Sequence, residues 1–193
     1  MHLLKKNIKS INMDKSLVQI DKFNKVLLEL IDAMSGIISD LNNVGLTKLT
    51  GNDVNIIKLF ISSLDKKHVI NTFIDNSSEH WDKIKEKNDE FFINNSSKIF
   101  GQYANYEQFN ALKIIFSKNQ SGISLVDDDT KESIREYLFA LIKISIVYIF
   151  NSKEPVIEKT SDNKVKITYK KTAFTNIDDL MARAKKWNIK LFN

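Results

Sequence analysis

The chain has 193 residues, of which 42% are apolar and 27% are charged, and this composition is typical of globular proteins. It contains no cysteine, which excludes disulfide frameworks, cysteine-based zinc sites and thiol nucleophiles. Five glycines and one proline are too few for an all-β sandwich or a glycine-rich phosphate-binding loop. The composition therefore favours a mostly α-helical fold.

The charges divide the chain into three parts. Residues 1–13 hold three lysines and no acid, residues 14–152 hold 16 basic and 19 acidic side chains, and residues 153–193 hold ten basic and five acidic ones. Of the 29 basic residues only Arg135 and Arg183 are arginines. We therefore predict a flexible basic leader over 1–13, one helical domain over 14–152 and a basic appendage over 153–193.

The first predicted element is a long helix from about Asp14 to Asn42. Its apolar residues recur at alternating steps of three and four, namely at Ile20, Phe23, Leu27, Leu30, Met34, Ile37 and Leu41. Such a seam fits either a coiled coil with another chain or a helix lying over its own core. Val26, Leu28, Ile31 and Ile38 widen the apolar stripe, which favours the second interpretation and a monomer, with a homodimer as the alternative.

Shorter helices follow. Polar residues from Thr50 to Asp53 are expected to cap a helix with the apolar face Val54, Ile57, Phe60, Ile61 and Leu64. Asp65 is expected to cap the next helix. Further helical stretches are predicted around Trp81, Phe91 and Leu112, because apolar residues recur there at helical spacing.

A central helix is predicted from Thr130 to about Asn151. Asp129 and Glu132 have the spacing of a capping box at its start. Its second half is apolar on all sides, which is typical of a helix surrounded by others. The side chains expected to be buried are Leu138, Leu141, Ile142, Ile146 and Ile149.

The C-terminal appendage begins at Pro155, where a helix cannot continue. Val156–Glu158 and Val165–Tyr169 flank the turn-prone residues 161–163 and predict a small β-hairpin. Thr175 or Asn176 is expected to cap a last helix. The complete prediction is a bundle-like helical domain around a central apolar helix, followed by a hairpin and a last helix.

The sequence offers no catalytic, cofactor-binding or metal-binding residues. Its three histidines are isolated, and no nucleophile elbow, Walker motif or zinc-protease motif occurs. Asp127, Asp128 and Asp129 are interpreted as negative charge at a helix N-terminus rather than as a magnesium site. The longest apolar stretch, Tyr137–Phe150, is too short to span a membrane, and the N-terminus lacks a signal-peptide core. An intracellular protein is therefore expected.

The basic appendage carries the one candidate binding site. Lysines near an aromatic residue can follow a nucleic-acid backbone, while lysines on an edge strand can also serve only to prevent sheet association. The candidate polyanion-binding residues are Lys164, Lys166, Lys170, Lys171, Arg183, Lys185 and Lys186.

The charged run from Trp81 to Lys87, followed by Asp89-Glu90-Phe91-Phe92, resembles segments of uncharacterised helical proteins from large nucleocytoplasmic DNA viruses. The resemblance covers about residues 54–100 and implies a viral protein of the host cytoplasm or the virion, with no catalytic residue. The leading functional hypothesis is a non-enzymatic structural or protein-interaction module with another protein as its partner. The alternatives are a polyanion-binding accessory protein and, third, a hydrolase or transferase.

Overall fold

Helices dominate the structure, a computed structural model that describes residues 2–99, 110–152, 155–159, 165–169 and 177–191. This confirms the predicted mostly α class. The helices in chain order are α1 (His2–Asn43), α2 (Gly51–Ser63), α3 (Lys66–Ser77), α4 (Trp81–Lys85), α5 (Asp89–Ile99), α6 (Ala111–Phe116), α7 (Asp128–Ser152) and α8 (Ile177–Lys186), with a 3₁₀ turn at Ser78–His80.

Two short strands lie between α7 and α8. β1 (Pro155–Lys159) and β2 (Val165–Tyr169) pair antiparallel, with Ile157 opposite Ile167. The turn predicted at residues 161–163 and the side chains of both strands lie outside the described residues.

The chain forms two compact units. One contains residues 22–142, and the other contains residues 1–21 together with residues 143–193. Both long helices, α1 and α7, pass from one unit to the other. The helical backbone of α1 begins at His2, upstream of the expected start near Asp14. The predicted division into leader, domain and appendage stays a prediction.

The apolar seam of α1 is buried within the chain itself. Its buried residues are Ile20, Phe23, Leu27, Leu30, Met34 and Leu41, while Ile37 is half-buried. The interpretation of α1 as a helix over its own core therefore agrees with the structure. The helix ends in a glycine motif, in which Gly45 adopts a φ of +74° and the Leu46 amide donates to the Leu41 carbonyl at 2.9 Å.

The burial predicted for α7 is confirmed. Leu138, Leu141, Ile142 and Ile146 are fully buried, and Ile149 is 3% exposed. The predicted capping box is wrong. The helix begins at Asp128, and its cap is Asp127, whose carboxylate accepts hydrogen bonds from the Thr130 amide and hydroxyl, both at 2.8 Å. The Thr130 amide holds the pKa of Asp127 below its ordinary value.

Candidate protein-interaction face

The start of α2 is capped, as predicted for the polar residues from Thr50 to Asp53, and the cap is a complete capping box. The Thr50 hydroxyl accepts a hydrogen bond from the Asp53 amide at 3.2 Å, and the Asp53 carboxylate accepts one from the Thr50 amide at 2.8 Å. The hydrogen bond from the Thr50 hydroxyl holds the pKa of Asp53 below its ordinary value. The next helix is capped by Asp65, also as predicted, through the His68 amide at 2.8 Å.

Close contact with α1 determines how α2 is rotated about its axis. The Ser35 hydroxyl donates to the Gly51 carbonyl at 2.8 Å. A Cβ atom at position 51 would lie 2.9 Å from the Ser35 carbonyl oxygen, so only glycine permits this approach. Farther along the helix, the Lys58 ammonium pairs with Asp32 at 2.8 Å. Contacts at two points along α2 therefore fix which of its side chains turn outward.

The outward side of α2 carries large apolar residues. Val54, Ile57 and Ile61 are buried, whereas Ile56 is 54%, Leu59 72% and Phe60 39% exposed. The prediction that placed Phe60 on the buried face is wrong, because Phe60 lies about 100° around the helix from both Leu59 and Ile61 and falls at the edge of the outward side. We call Ile56, Leu59 and Phe60 the α2 face.

The exposed residues around the α2 face are mostly uncharged, and the charged residues of the same helix are paired: Lys58 with Asp32 at 2.8 Å, and Asp53 with the Thr50 amide at 2.8 Å. The other exposed residues of the helix are Asn52, Asn55, Ser62 and Ser63. The loop that leads into α2 adds two more exposed apolar residues, Val44 at 68% and Leu46 at 48%. Five of the nine large apolar residues that are exposed in the described part of the chain thus lie between positions 44 and 60.

A second notable feature is a partly buried group of charges between α5 and α7, in which the two cations are buried and the two carboxylates are half-buried. We call it the charged cluster: Asp89, Lys131, Glu132 and Arg135. The Lys131 side chain is 1% exposed, and its ammonium lies 3.0 Å from Asp89 Oδ2. The Arg135 guanidinium pairs with Asp89 Oδ1 and, at 3.2 Å, with Glu132 Oε2. Asp89 therefore bridges two buried cations with one oxygen for each.

Neighbouring groups complete this cluster. The Lys131 ammonium donates to the Ser124 hydroxyl at 2.8 Å, and the Arg135 guanidinium lies 5.1 Å from the centre of the Phe116 ring. Lys87 pairs with Glu132, and this hydrogen bond holds the pKa of the Glu132 carboxyl below its ordinary value. Since the carboxylates and the ammonium are engaged with one another, the arrangement stabilises the fold and offers no free base or nucleophile.

The same cluster anchors a tight turn. Ser124 lies at the end of a turn in which the Asn119 side chain accepts hydrogen bonds from the Ser121 and Ile123 amides, both at 2.9 Å. Gly122 adopts a φ of +77° there, and Ile123 is 64% exposed. Ile123 is a single exposed apolar residue, which is ordinary on protein surfaces.

Of the predicted polyanion-binding residues, the structure describes the side chains of Arg183, Lys185 and Lys186. Lys164, Lys170 and Lys171 lie outside the described residues, as does the side chain of Lys166. On α8, Lys185 and Lys186 are exposed and Arg183 is half-buried, and the exposed acids Asp178 and Asp179 begin the same helix. Leu180, Ala184 and Trp187 form its buried side.

Among the described residues, no three His, Asp or Glu side chains are arranged to hold a metal ion. Across the same ranges, no helix is both long and apolar enough to cross a membrane.

Sequence reasoning missed both main features of the site region. The grouping of the α2 face could have been predicted, because Ile56, Leu59 and Phe60 are spaced i, i+3, i+4 and therefore share one side of a helix. Val54 and Ile57 lie on a different side of it. The charged cluster left a weaker signal in the sequence, namely that Lys131 and Arg135 share the helical period of the apolar Ile134 and Leu138.

No protein-family model, curated protein or solved structure matches the chain.

Proposed function

We propose that the protein is a non-enzymatic protein-interaction module that binds its partner through the α2 face. The observation that carries this proposal is the exposure of Ile56, Leu59 and Phe60 side by side on one helix whose opposite side is buried. A contiguous apolar patch on a protein surface is a common mark of an interaction site.

The spacing of the α2 face suits a partner protein. Residues at i, i+3 and i+4 are the anchors by which a helix presents itself to an apolar surface of another protein. None of the three is charged, and the Lys58 ammonium beside them is already paired with Asp32, so binding through this face requires little desolvation of unpaired ions. The cap at Thr50 and the contact at Gly51 hold the helix in place, so little conformational freedom is lost on association.

The wider context of the proposal rests on the resemblance of residues 54–100 alone. It comprises a viral origin, a location inside the host cell or in the virion, and another protein as the partner. The charged cluster supports the non-enzymatic part of the proposal, because its ammonium and carboxylate groups are consumed in mutual contacts.

The test is affinity capture from the native source with three matched baits: the unchanged chain, Leu59→Ser and Ile123→Ser. Leu59 and Ile123 are both strongly exposed, so neither change is expected to disturb folding. We expect Leu59→Ser to reduce recovery of specific partners about tenfold or more, as for a central interface residue, and Ile123→Ser to leave it unchanged. Equal recovery with all three baits would contradict the proposal.

Polyanion binding is a second candidate, favoured by the exposure of Lys185, Lys186 and Lys190. Its test is salt elution from heparin. Lys185→Glu with Lys186→Glu should elute at lower salt than the unchanged chain, whereas the control Lys66→Glu with Lys67→Glu, also an exposed adjacent pair, should not. Identical elution of the two variants would rule out a specific contribution from α8.

A further inference from the structure

We infer that, in the absence of another partner, the α2 face is covered by a second copy of this chain in a two-fold symmetric dimer. This inference rests on the proposed function, because it names the occupant of the same face. A monomer was expected because the apolar seam of α1 packs within its own chain. The α2 face is a separate surface that the seam does not cover.

The size of the apolar surface agrees with a dimer. Val44, Leu46, Ile56, Leu59 and Phe60 together expose on the order of 500 Å², if a fully exposed residue of this size offers roughly 200 Å². A standard interface buries about 800 Å² per partner, of which somewhat more than half is apolar. The apolar surface between positions 44 and 60 is thus close to what one copy must contribute.

The position of the loop residues allows them to contribute to the same contact. Four residues separate Leu46 from Gly51, so the chain allows at most about 17 Å between Leu46 and Gly51. The Leu41–Leu46 hydrogen bond and the donation from the Asn42 side chain to the Thr47 carbonyl at 2.9 Å hold the loop in one conformation. Leu46 therefore lies within about 17 Å of the N-terminal end of α2, in a loop of fixed conformation.

Charge is the second argument for a second copy. The whole chain has a net charge of +5, so most pairings of two copies bring like charges together. The α2 face is an exception, since its own residues are apolar and the charges of Lys58 and Asp53 on that helix are engaged by Asp32 and by the Thr50 amide. In a two-fold contact the same patch meets itself, and an uncharged apolar patch is complementary to itself.

The test is sedimentation equilibrium of the full chain over a range of concentrations. We expect a monomer–dimer equilibrium with a dissociation constant of roughly 1–100 µM, the weak end of interfaces of this size. Leu59→Glu places two carboxylates in the apolar centre and should weaken the dimer at least about 100-fold. The matched control, Ile123→Glu, adds the same charge at an equally exposed site and should dimerise like the unchanged chain.

Circular dichroism of each variant verifies that the helical content is retained. A chain that stays monomeric up to millimolar concentration, or a dimer that survives Leu59→Glu, would overturn the inference. The proposed function is tested separately by the capture experiment. A monomeric chain whose partner recovery still depends on Leu59 would remove the second copy and leave the proposed function standing.

Discussion

The two halves of α7 bury the same side of the helix, but the buried side chains are partly charged in one half and almost entirely apolar in the other. In the first half the buried side includes Lys131 and Arg135, and in the second half it consists of apolar residues and Ser145. The cations near the start are engaged by Asp89 and Glu132. The Ser145 hydroxyl, although equally buried, has no hydrogen-bond partner among the described residues.

This difference shows that burial alone does not indicate which groups stabilise a fold. A buried charge is tolerated where partners satisfy it, and it then depends on every one of them. Apolar side chains depend instead on the volume that they fill. A buried hydroxyl without a partner in the described part of the chain, such as that of Ser145, provides neither a satisfied hydrogen bond nor apolar packing. Substitutions in each half of α7 should therefore differ in their effect on stability.

Removal of the bridging carboxylate should have the largest effect. Asp89→Ala leaves the Lys131 ammonium and the Arg135 guanidinium buried without their shared partner and should lower the free energy of unfolding by ~3–5 kcal/mol. Chemical denaturation measures this. The control is Asp128→Ala, which removes a carboxylate that is 96% exposed and lies 3.7 Å from the Lys131 ammonium. Equal losses for both variants would contradict a special role of Asp89.

A cavity in the apolar half should be costly as well. Ile146 is fully buried, and Ile146→Ala should reduce the free energy of unfolding by ~2–5 kcal/mol, because it removes packed methylene groups and leaves a void. The same change at the half-buried Ile144 provides a control on the same helix and should cost less. If the two variants had the same stability, the burial assigned to Ile146 would be wrong.

The unpartnered hydroxyl should be dispensable. Ser145→Ala removes a buried donor that lacks an acceptor in the described residues, so the free energy of unfolding should rise by about 1 kcal/mol. Thermal unfolding of the variant beside Ser133→Ala measures the difference, since the Ser133 hydroxyl does have an acceptor, the Asp129 carbonyl at 3.1 Å. A loss of stability in Ser145→Ala would show that its hydroxyl has a partner.

The smallest effect concerns pH. Because the folded-state pKa of Glu132 lies below its ordinary value of 4.5, the ionised carboxylate stabilises the native state fully above that value. This stabilisation is lost as the pH falls below 4.5 and through the lowered folded-state pKa. Glu132→Gln should therefore show a weaker loss of melting temperature on acidification than the unchanged chain. Glu136→Gln, at an exposed position of the same helix, should behave like the unchanged chain.

The apolar half of α7 could be predicted from the sequence, and the charged half could not. Ile142, Ile146 and their neighbours form a continuous apolar run, and such runs are buried in nearly every fold. Lys131 and Arg135 share the helical period of the buried Ile134 and Leu138, but lysine and arginine are rarely buried unless they are paired. Their shared partner is Asp89, 42 residues from Lys131 in the sequence, and such a long-range contact leaves no local pattern.

The same limit applies to the helix caps and to the α2 face. The caps at Asp65 and within Thr50 to Asp53 were predicted correctly because capping depends on local polar residues. For α7 the predicted cap was Asp129, and the hydrogen bonds from Thr130 show that the cap is Asp127. Phe60 was placed on the wrong side because its spacing only groups it with Ile56 and Leu59, and the contacts of α2 with α1 decide that this side faces outward.

That rotation depends on Gly51, and this has a consequence for any survey of substitutions across the chain. Every other residue at position 51 would bring a Cβ atom against the Ser35 carbonyl and push the start of α2 away from α1. The helix would then present different side chains, although position 51 itself lies outside the α2 face. A survey scored by binding alone would therefore count Gly51 among the contact residues. A parallel score for protein abundance or stability is needed to distinguish residues that contact the partner from residues, such as Gly51, that orient the contact residues.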